Sequence, residues 1–261
     1  QEMIEMAEIF INKCIKNLDF LADSSIFPDF SAKRDYYRYR LHERFYPVRL
    51  FRNNLSTDID PKTLDNISWG SHENYMVDLN VDFFKLEKAL VPFLISRQIY
   101  GGSGWLDVNF FGKISFLLAQ RPLVTHSRVG GTTTGNRPIV GNKNEPLADG
   151  SLFRRLHLVM GDSNMSPWAS WLKIKATSIV LDLIEDDYFP DSFGFFNVHN
   201  PVHVLKEISR DLSFSYRFSV GNKMYTALTI QRFYLDLVQR YYLLEERREP
   251  DEETKKAIEL W

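Results

Sequence analysis

Residues 69–77, WGSHENYMV, impose the tightest local constraint on this chain, because apolar flanks enclose four consecutive polar positions: Ser71, His72, Glu73 and Asn74. In an extended strand successive side chains face opposite ways. Ser71, Glu73 and Tyr75 therefore share one face, and His72 and Asn74 the other. Gly70, just ahead, lets a ligand or another backbone approach closely. A strand that presents a hydroxyl beside a carboxylate suits a metal–phosphate site.

The surrounding pattern mixes strands and helices. Met3, Met6, Ala7, Phe10 and Cys14 recur at helical spacing, which predicts an amphipathic helix over 2–17. Strands are expected at 48–53 and 69–77, with the turn-rich DIDPKTLDN loop between them. A helix follows over 82–98 with Pro92 as a kink, then a GGSG turn and strands at 105–110 and 114–119. The Gly-, Thr- and Asn-rich stretch 129–150 reads as one long functional loop. A strand over 156–160 leads into GDSNMS, where Ser166 caps a helix that has Pro167 at its first position. Further helices are expected over 201–211 and 226–248, and a helical pattern is still running at Trp261. Strands and helices do not alternate as βαβ units, which favours an α+β fold with an antiparallel sheet.

Composition excludes several classes. A formal charge of −2 over 261 residues lacks the basic excess of a general nucleic-acid binder. No apolar run has the roughly 18 residues of a membrane span. Cys14 is the only cysteine, which rules out an internal disulfide and a cysteine metal cluster and makes a reducing, cytoplasmic setting the default.

Three more clusters carry chemistry. Arg121 closes an apolar strand in LLAQR. Arg155 and His157, two apart in RRLHLVMGDSNMS, project from one strand face, and Arg137, Lys143 and Glu145 lie in NRPIVGNKNEP. A carboxylate and an imidazole can ligate a divalent metal, while arginines neutralise polyphosphate. By spacing alone, strand Arg and Glu residues more often form surface ion pairs, and a lone His157 is more often a hydrogen-bonded core residue. His42, His126, His199 and His203 have no ligand spacing and read as surface or loop residues.

Four blocks taken together resemble the family of Pup ligases and Pup deamidase/depupylases. They are RNN…GSHENYMV (52–77), LVPFLISRQIYGGSG (90–104), LAQR…TTTGNRPIV…NEPLAD (118–149) and FRRLHLVMGDSNMS…LKIKATSIVLDLIED (153–186), with TALTIQRFYL (226–235) extending the match. The resemblance implies an α+β fold of glutamine synthetase/glutamate–cysteine ligase type, a half-open antiparallel sheet cradling ATP and magnesium. Carried over motif by motif, Ser71 is a nucleotide-contacting position, Arg121 and Arg155 hold phosphates, and Glu73 and His157 are magnesium ligands. The chain then reads as a single catalytic domain, 1–261, without the family's N-terminal strands and C-terminal domain. The family's catalytic aspartate would precede Gln1. In the 142–147 segment, Asn142, Lys143, Asn144, Glu145, Pro146 and Leu147 replace the family's Thr-Arg-Asp-Glu-Pro-His. Lysine keeps the charge of the arginine but loses its bidentate phosphate geometry.

The activity the resemblance implies is ATP-dependent ligation of the C-terminal glutamate of a disordered Pup-like modifier to lysines of target proteins. The same cradle could instead serve a deamidase or depupylase. A third reading is a non-catalytic relative that binds modifier or nucleotide.

Overall fold

The chain divides into two compact units, Gln1–Phe51 and Arg52–Trp261. The computed structural model describes residues 54–59, 66–108, 114–132, 135–143, 149–190 and 197–261, all within the second unit. The helix expected over 2–17 and the strand expected over 48–53 lie outside the described residues, as do His42, Glu145 and Leu147.

The second unit opens with β1 (Leu55–Ile59) and β2 (Asn66–Ser68), an antiparallel pair. The main sheet follows, built from β3 (Glu73–Asp78), β6 (Ser127–Gly130), β7 (Pro138–Gly141) and β8 (Phe153–Leu158) in the order β3-β8-β7-β6. The β3–β8 and β7–β8 pairs are antiparallel, whereas β6 and β7 run parallel, so the sheet is mixed. A separate hairpin consists of β4 (Trp105–Val108) and β5 (Ile114–Leu117).

Helices cover one face of the main sheet. They are α1 (Phe83–Ser96), the short α2 (Gln98–Gly101), α3 (Pro167–Glu185), α4 (Pro201–Arg210), α5 (Ala227–Gln239) and α6 (Glu252–Leu260). Asp82 caps α1 by accepting from the Lys85 N–H at 2.9 Å, and the helix runs through Pro92 to Ser96. Ser166 caps α3 with Pro167 in its first turn, as its sequence requires. After α5 the chain widens into a looser turn at Arg240–Leu244, so the helix expected over 226–248 stops earlier. A final pair, β9 (Phe218–Val220) and β10 (Lys223–Tyr225), precedes α5.

The core lies between sheet and helices. Val77, Val140, Leu156 and Leu158 meet Leu86, Leu90, Phe93 and Leu94 of α1, Ala176 and Val180 of α3, and Ile230 and Tyr234 of α5. The stretch 129–150 is not one continuous loop. Ile139 and Val140 are fully buried, and hydrophobic burial converts Pro138–Gly141 into an inner strand despite its polar surroundings. The strand expected over 69–77 starts only at Glu73, and residues 69–72 form the turn that leads into it.

A polar knot fastens α5 and the Trp261 side chain to α1. The buried Gln231 donates from Nε2 to the Phe93 carbonyl (3.0 Å) and to Ser96 Oγ (2.8 Å), while its Oε1 accepts from Trp261 Nε1 at 2.8 Å. Tyr234 adds a bond from its hydroxyl to the Ala89 carbonyl. Replacing Gln231 by Leu strands these partners away from water, and should destabilise the protein by roughly 1–3 kcal/mol in urea unfolding. Gln231→Glu, which keeps the acceptor for Trp261 Nε1, should preserve the tryptophan emission of the unsubstituted protein better than Gln231→Leu.

Candidate functional site

The register of β3 against β8 decides which side chains can meet. Glu73 lies opposite Leu158, Asn74 opposite His157, Tyr75 opposite Leu156 and Met76 opposite Arg155. Directly opposed residues of an antiparallel pair share a face. Glu73, Tyr75 and Val77 therefore join Leu156 and Leu158 on the face packed by helices, while Asn74 and Met76 join Arg155 and His157 on the other. Burial agrees, since Glu73 and Val77 are buried and Asn74 and Met76 are exposed.

On the helix side Glu73 forms a closed ion pair. Arg97, immediately after α1, donates from Nη2 to Glu73 Oε1 at 2.5 Å and from Nη1 to Oε2 at 2.8 Å. The Tyr75 hydroxyl also donates to Oε2 (2.7 Å), and Arg97 Nη1 reaches Thr177 Oγ1 as well. Burial alone would raise the Glu73 pKa, but the adjacent Arg97 guanidinium, supported by Lys173 and Tyr75, brings it below its ordinary value of 4.5. Gly161 completes the enclosure. A Cβ built on it would stand 2.4 Å from Glu73 Oε1, so only glycine fits against the paired carboxylate. The expectation that Glu73 and His157 are joint magnesium ligands is not met by this geometry. Strand parity sends them to opposite faces, and both oxygens of Glu73 are already engaged. Among the described residues no group of three or more His, Cys, Asp or Glu could hold a metal ion.

The other face gathers cations. His157 Nε2 lies 3.1 Å from His72 Nδ1, and the two rings meet edge to face with centroids 4.8 Å apart. The His72 pKa is lowered from its ordinary 6.5, first by burial and then by the charges of Arg121 and Arg155, which places both guanidinium groups within electrostatic reach of this pair. Arg121 opens a single helical turn, Arg121–Val124, and is only 2% exposed. It donates from Nη2 to the Val159 carbonyl (3.0 Å) and from Nη1 to Ser68 Oγ (3.4 Å), while its buried Nε has no hydrogen-bond partner. Its pKa is pushed down to about 10 by burial and by neighbouring Arg137, with Asp162 opposing; it stays cationic at neutral pH.

Arg121, Arg155 and His157 thus lie on one side of the sheet together with Arg137 and His72. Gly141 makes room for the imidazole. A Cβ there would meet His157 atoms at 3.0–3.4 Å, and Gly141 stands opposite His157 in the β7–β8 register. Ser71 is half-buried just before β3, with its carbonyl oxygen toward Gly161. Lys143 is exposed after β7, and His126, His199 and His203 are exposed, as expected of surface residues. Sequence reasoning had assigned no role to His72, which alternation placed on the face opposite Glu73. Arg137 had been visible only as one member of a charged cluster.

Arg121 is buried and its Nε–H meets no acceptor, so this face has the charge and the donor to suit an anion. Phosphate suits it, because its oxygens accept from several guanidinium N–H groups at once.

The mixed sheet packed by helices has the architecture of the glutamine synthetase-like class. A solved complex of the prokaryotic ubiquitin-like protein Pup with its ligase PafA matches with a TM-score of 0.66 at 32% identity, covering 81% of this chain and 41% of that one. A PafA structure in complex with ADP gives a TM-score of 0.68 at 31% identity, over 90% of this chain and 51% of that one. The family profile described as Pup-ligase protein matches residues 30–261, and the chain belongs to that family. Relatives include a Pup deamidase/depupylase of Mycolicibacterium smegmatis, 36% identical over 82% of this chain, and a Pup–protein ligase of Renibacterium salmoninarum, 35% identical over 75%. The chain spans about two fifths of the length of each, 41% and 40%.

The ion pair yields a sharp test. Glu73→Ala leaves Arg97 buried without a counter-charge and should cost about 3–5 kcal/mol in denaturant unfolding, whereas the Glu73→Met/Arg97→Met double variant should recover most of that loss. The folded-state pKa of Glu73 is depressed, so its contribution is complete above the unfolded value near 4.5 and is lost as pH falls through the lower folded value. Acid unfolding of the double variant should be less steep below pH 4.5 than that of the unsubstituted protein.

Proposed function

We propose that this chain supplies the phosphate-holding wall of an ATP-dependent carboxylate–amine ligase that joins a Pup-like modifier to lysine side chains of target proteins. The observation that carries the proposal is the cationic cluster of Arg121, Arg137 and Arg155 beside His72 and His157, in a chain whose family includes a ligase solved with ADP and with Pup.

In this reading, Arg121 and Arg155 bind the terminal phosphates of ATP, and Ser71, in the segment before β3, is a further nucleotide contact. The side-chain carboxylate of the modifier's C-terminal glutamate attacks the γ-phosphorus, the bond to the bridging oxygen breaks and ADP leaves. The guanidinium groups are already in place, so charge developing on the transferred oxygens is stabilised without reorganisation. The acyl phosphate on the modifier is then attacked by a lysine amine, which forms the isopeptide bond and expels phosphate. The amine proton is taken up by a general base as the new bond forms. Magnesium would neutralise phosphate charge in such chemistry. The described residues do not fit it, because Glu73 is committed to Arg97 and His157 faces away from Glu73. A cytoplasmic setting goes with this reading, and among the described residues no helix is long and apolar enough to cross a membrane.

A second reading, hydrolysis of the same amide or isopeptide bond, is supported by the depupylase of Mycolicibacterium smegmatis, whose 36% identity is comparable with that of the ligases. The full-length protein given ATP and a modifier ending in Glu or in Gln separates the two. Isopeptide formation with the first marks a ligase, and ammonia from the second marks a deamidase.

Binding tests the cradle itself. Arg121→Ala and Arg155→Ala should each weaken ATP binding to the full-length protein by roughly ten- to a hundredfold in calorimetry, the range of a lost charge-assisted hydrogen bond. His203→Ala, at the exposed side of α4, should leave the affinity unchanged. Arginine variants that bind as tightly as the unsubstituted protein would refute the phosphate role.

A further inference from the structure

We propose that Asp162, in the turn after β8, is the positioning residue of the anion cradle, fixing Arg121 through the backbone; the inference rests on the phosphate-binding reading of that cradle.

Asp162 is 2% exposed, yet its carboxylate meets four donors from two other segments. Oδ1 accepts from the Arg121 N–H at 2.9 Å. Oδ2 accepts from the Gln120 N–H at 2.8 Å, the Ser103 N–H at 3.0 Å and the Ser103 hydroxyl at 2.9 Å. Two consecutive amides, those of Gln120 and Arg121, are thus gripped by the two oxygens of one carboxylate just where the Arg121 helical turn begins. A buried carboxylate with this many charge-assisted bonds holds its partners far more rigidly than a surface loop could.

Its neighbours tie the same turn down. The Asp162 carbonyl accepts from Lys173 Nζ of α3 at 2.5 Å. The Ser163 N–H donates to Asn54 Oδ1 at 2.6 Å, and Asn164 Nδ2 donates to the Gly101 carbonyl at 2.9 Å. Gln120 extends the grip outward, since its Oε1 accepts from the Asn54 and Leu55 amides at 2.9 and 3.1 Å and its Nε2 donates to the Gly104 carbonyl at 3.0 Å. Asp162 therefore sits where the 101–104 turn, the 118–121 segment and α3 converge.

The arrangement has a functional consequence because Arg121 is held at both ends. Its guanidinium is anchored by the Val159 carbonyl at one end, and its amide by Asp162 at the other. A shift of the backbone at position 121 would strain the side chain between these two anchors and reorient Nε and Nη1. Asp162 also raises the Arg121 pKa through its negative charge without bonding the guanidinium, whose Nε–H meets no acceptor.

A double-variant cycle in the full-length protein, with ATP as probe, tests this. Asp162→Asn keeps the shape but turns one acceptor into a donor facing an N–H, and should weaken ATP binding by roughly ten- to a hundredfold, as loss of outer support does at other sites. If Asp162 acts through Arg121, the same substitution in the Arg121→Ala background should change the affinity less than twofold. A loss that persists in full in that background, or an unchanged affinity in Asp162→Asn alone, overturns the proposal. Should Asp162→Asn fail to fold, Ser103→Ala removes one donor of the four and should give a smaller loss that again vanishes in the Arg121→Ala background; equal losses in both backgrounds overturn it. Without nucleotide, the Arg121 amide should exchange with solvent at least tenfold faster, and its Nε–H resonance should shift, in Asp162→Asn or Ser103→Ala. If the unsubstituted protein binds no ATP, the phosphate reading falls, and these two signals still decide whether the carboxylate sets Arg121.

Discussion

The antiparallel register of β3 against β8 is the constraint from which the rest of this structure follows. Side chains alternate with a period of two, so a slip of one residue would exchange the contents of the two faces. The observed pairing puts Glu73 and Tyr75 among the helices and sets Asn74 and Met76 beside His157 and Arg155. Hydrophobic burial holds the register, because Val77, Leu156 and Leu158 reach the core only in this phase.

Two charged systems of opposite character consequently lie back to back across one strand pair. Beneath the sheet, Glu73 and Arg97 neutralise each other with both carboxylate oxygens bonded and with Thr177 and Tyr75 taking up further hydrogen-bonding capacity. Such a pair contributes little net stability but is costly to break, which makes it a lock on the register rather than a reactive centre. On the far face, Arg121, Arg137, Arg155 and the two imidazoles crowd together, and burial with mutual repulsion lowers the Arg121 and His72 pKa values. The first system has its carboxylate oxygens fully engaged, whereas the second keeps its charges of one sign side by side.

The turn at 161–164 joins the two. Gly161 touches the Glu73 carboxylate, Asp162 holds the backbone of Arg121, and Lys173 from α3 fastens the turn from below. A cluster built from remote pieces of chain needs such a connector, because a guanidinium on a loose loop would lose its orientation.

Much of this could be read from the residues alone. Period-two alternation and cap chemistry predicted the strand at β3, the shared face of Arg155 and His157, and the Ser166–Pro167 start of α3. The order of strands and helices carried the α+β class, and the four family blocks added its glutamine synthetase-like type. What alternation within one strand cannot supply is its phase relative to another. Ser71 and Glu73 as one pair, and Arg155 and His157 as another, were each consistent with a common hollow until the pairing of Asn74 with His157 turned Glu73 to the helix side. Likewise the polar composition of 129–150 concealed the strand Pro138–Gly141, whose two aliphatic residues form a strand only because neighbouring β-strands and α1 enclose them. The choice of Arg97 as the partner of Glu73, and of Asp162 as the anchor of Arg121, belongs to tertiary structure. Each joins residues at least 24 positions apart, and only the packed fold brings them within hydrogen-bonding distance.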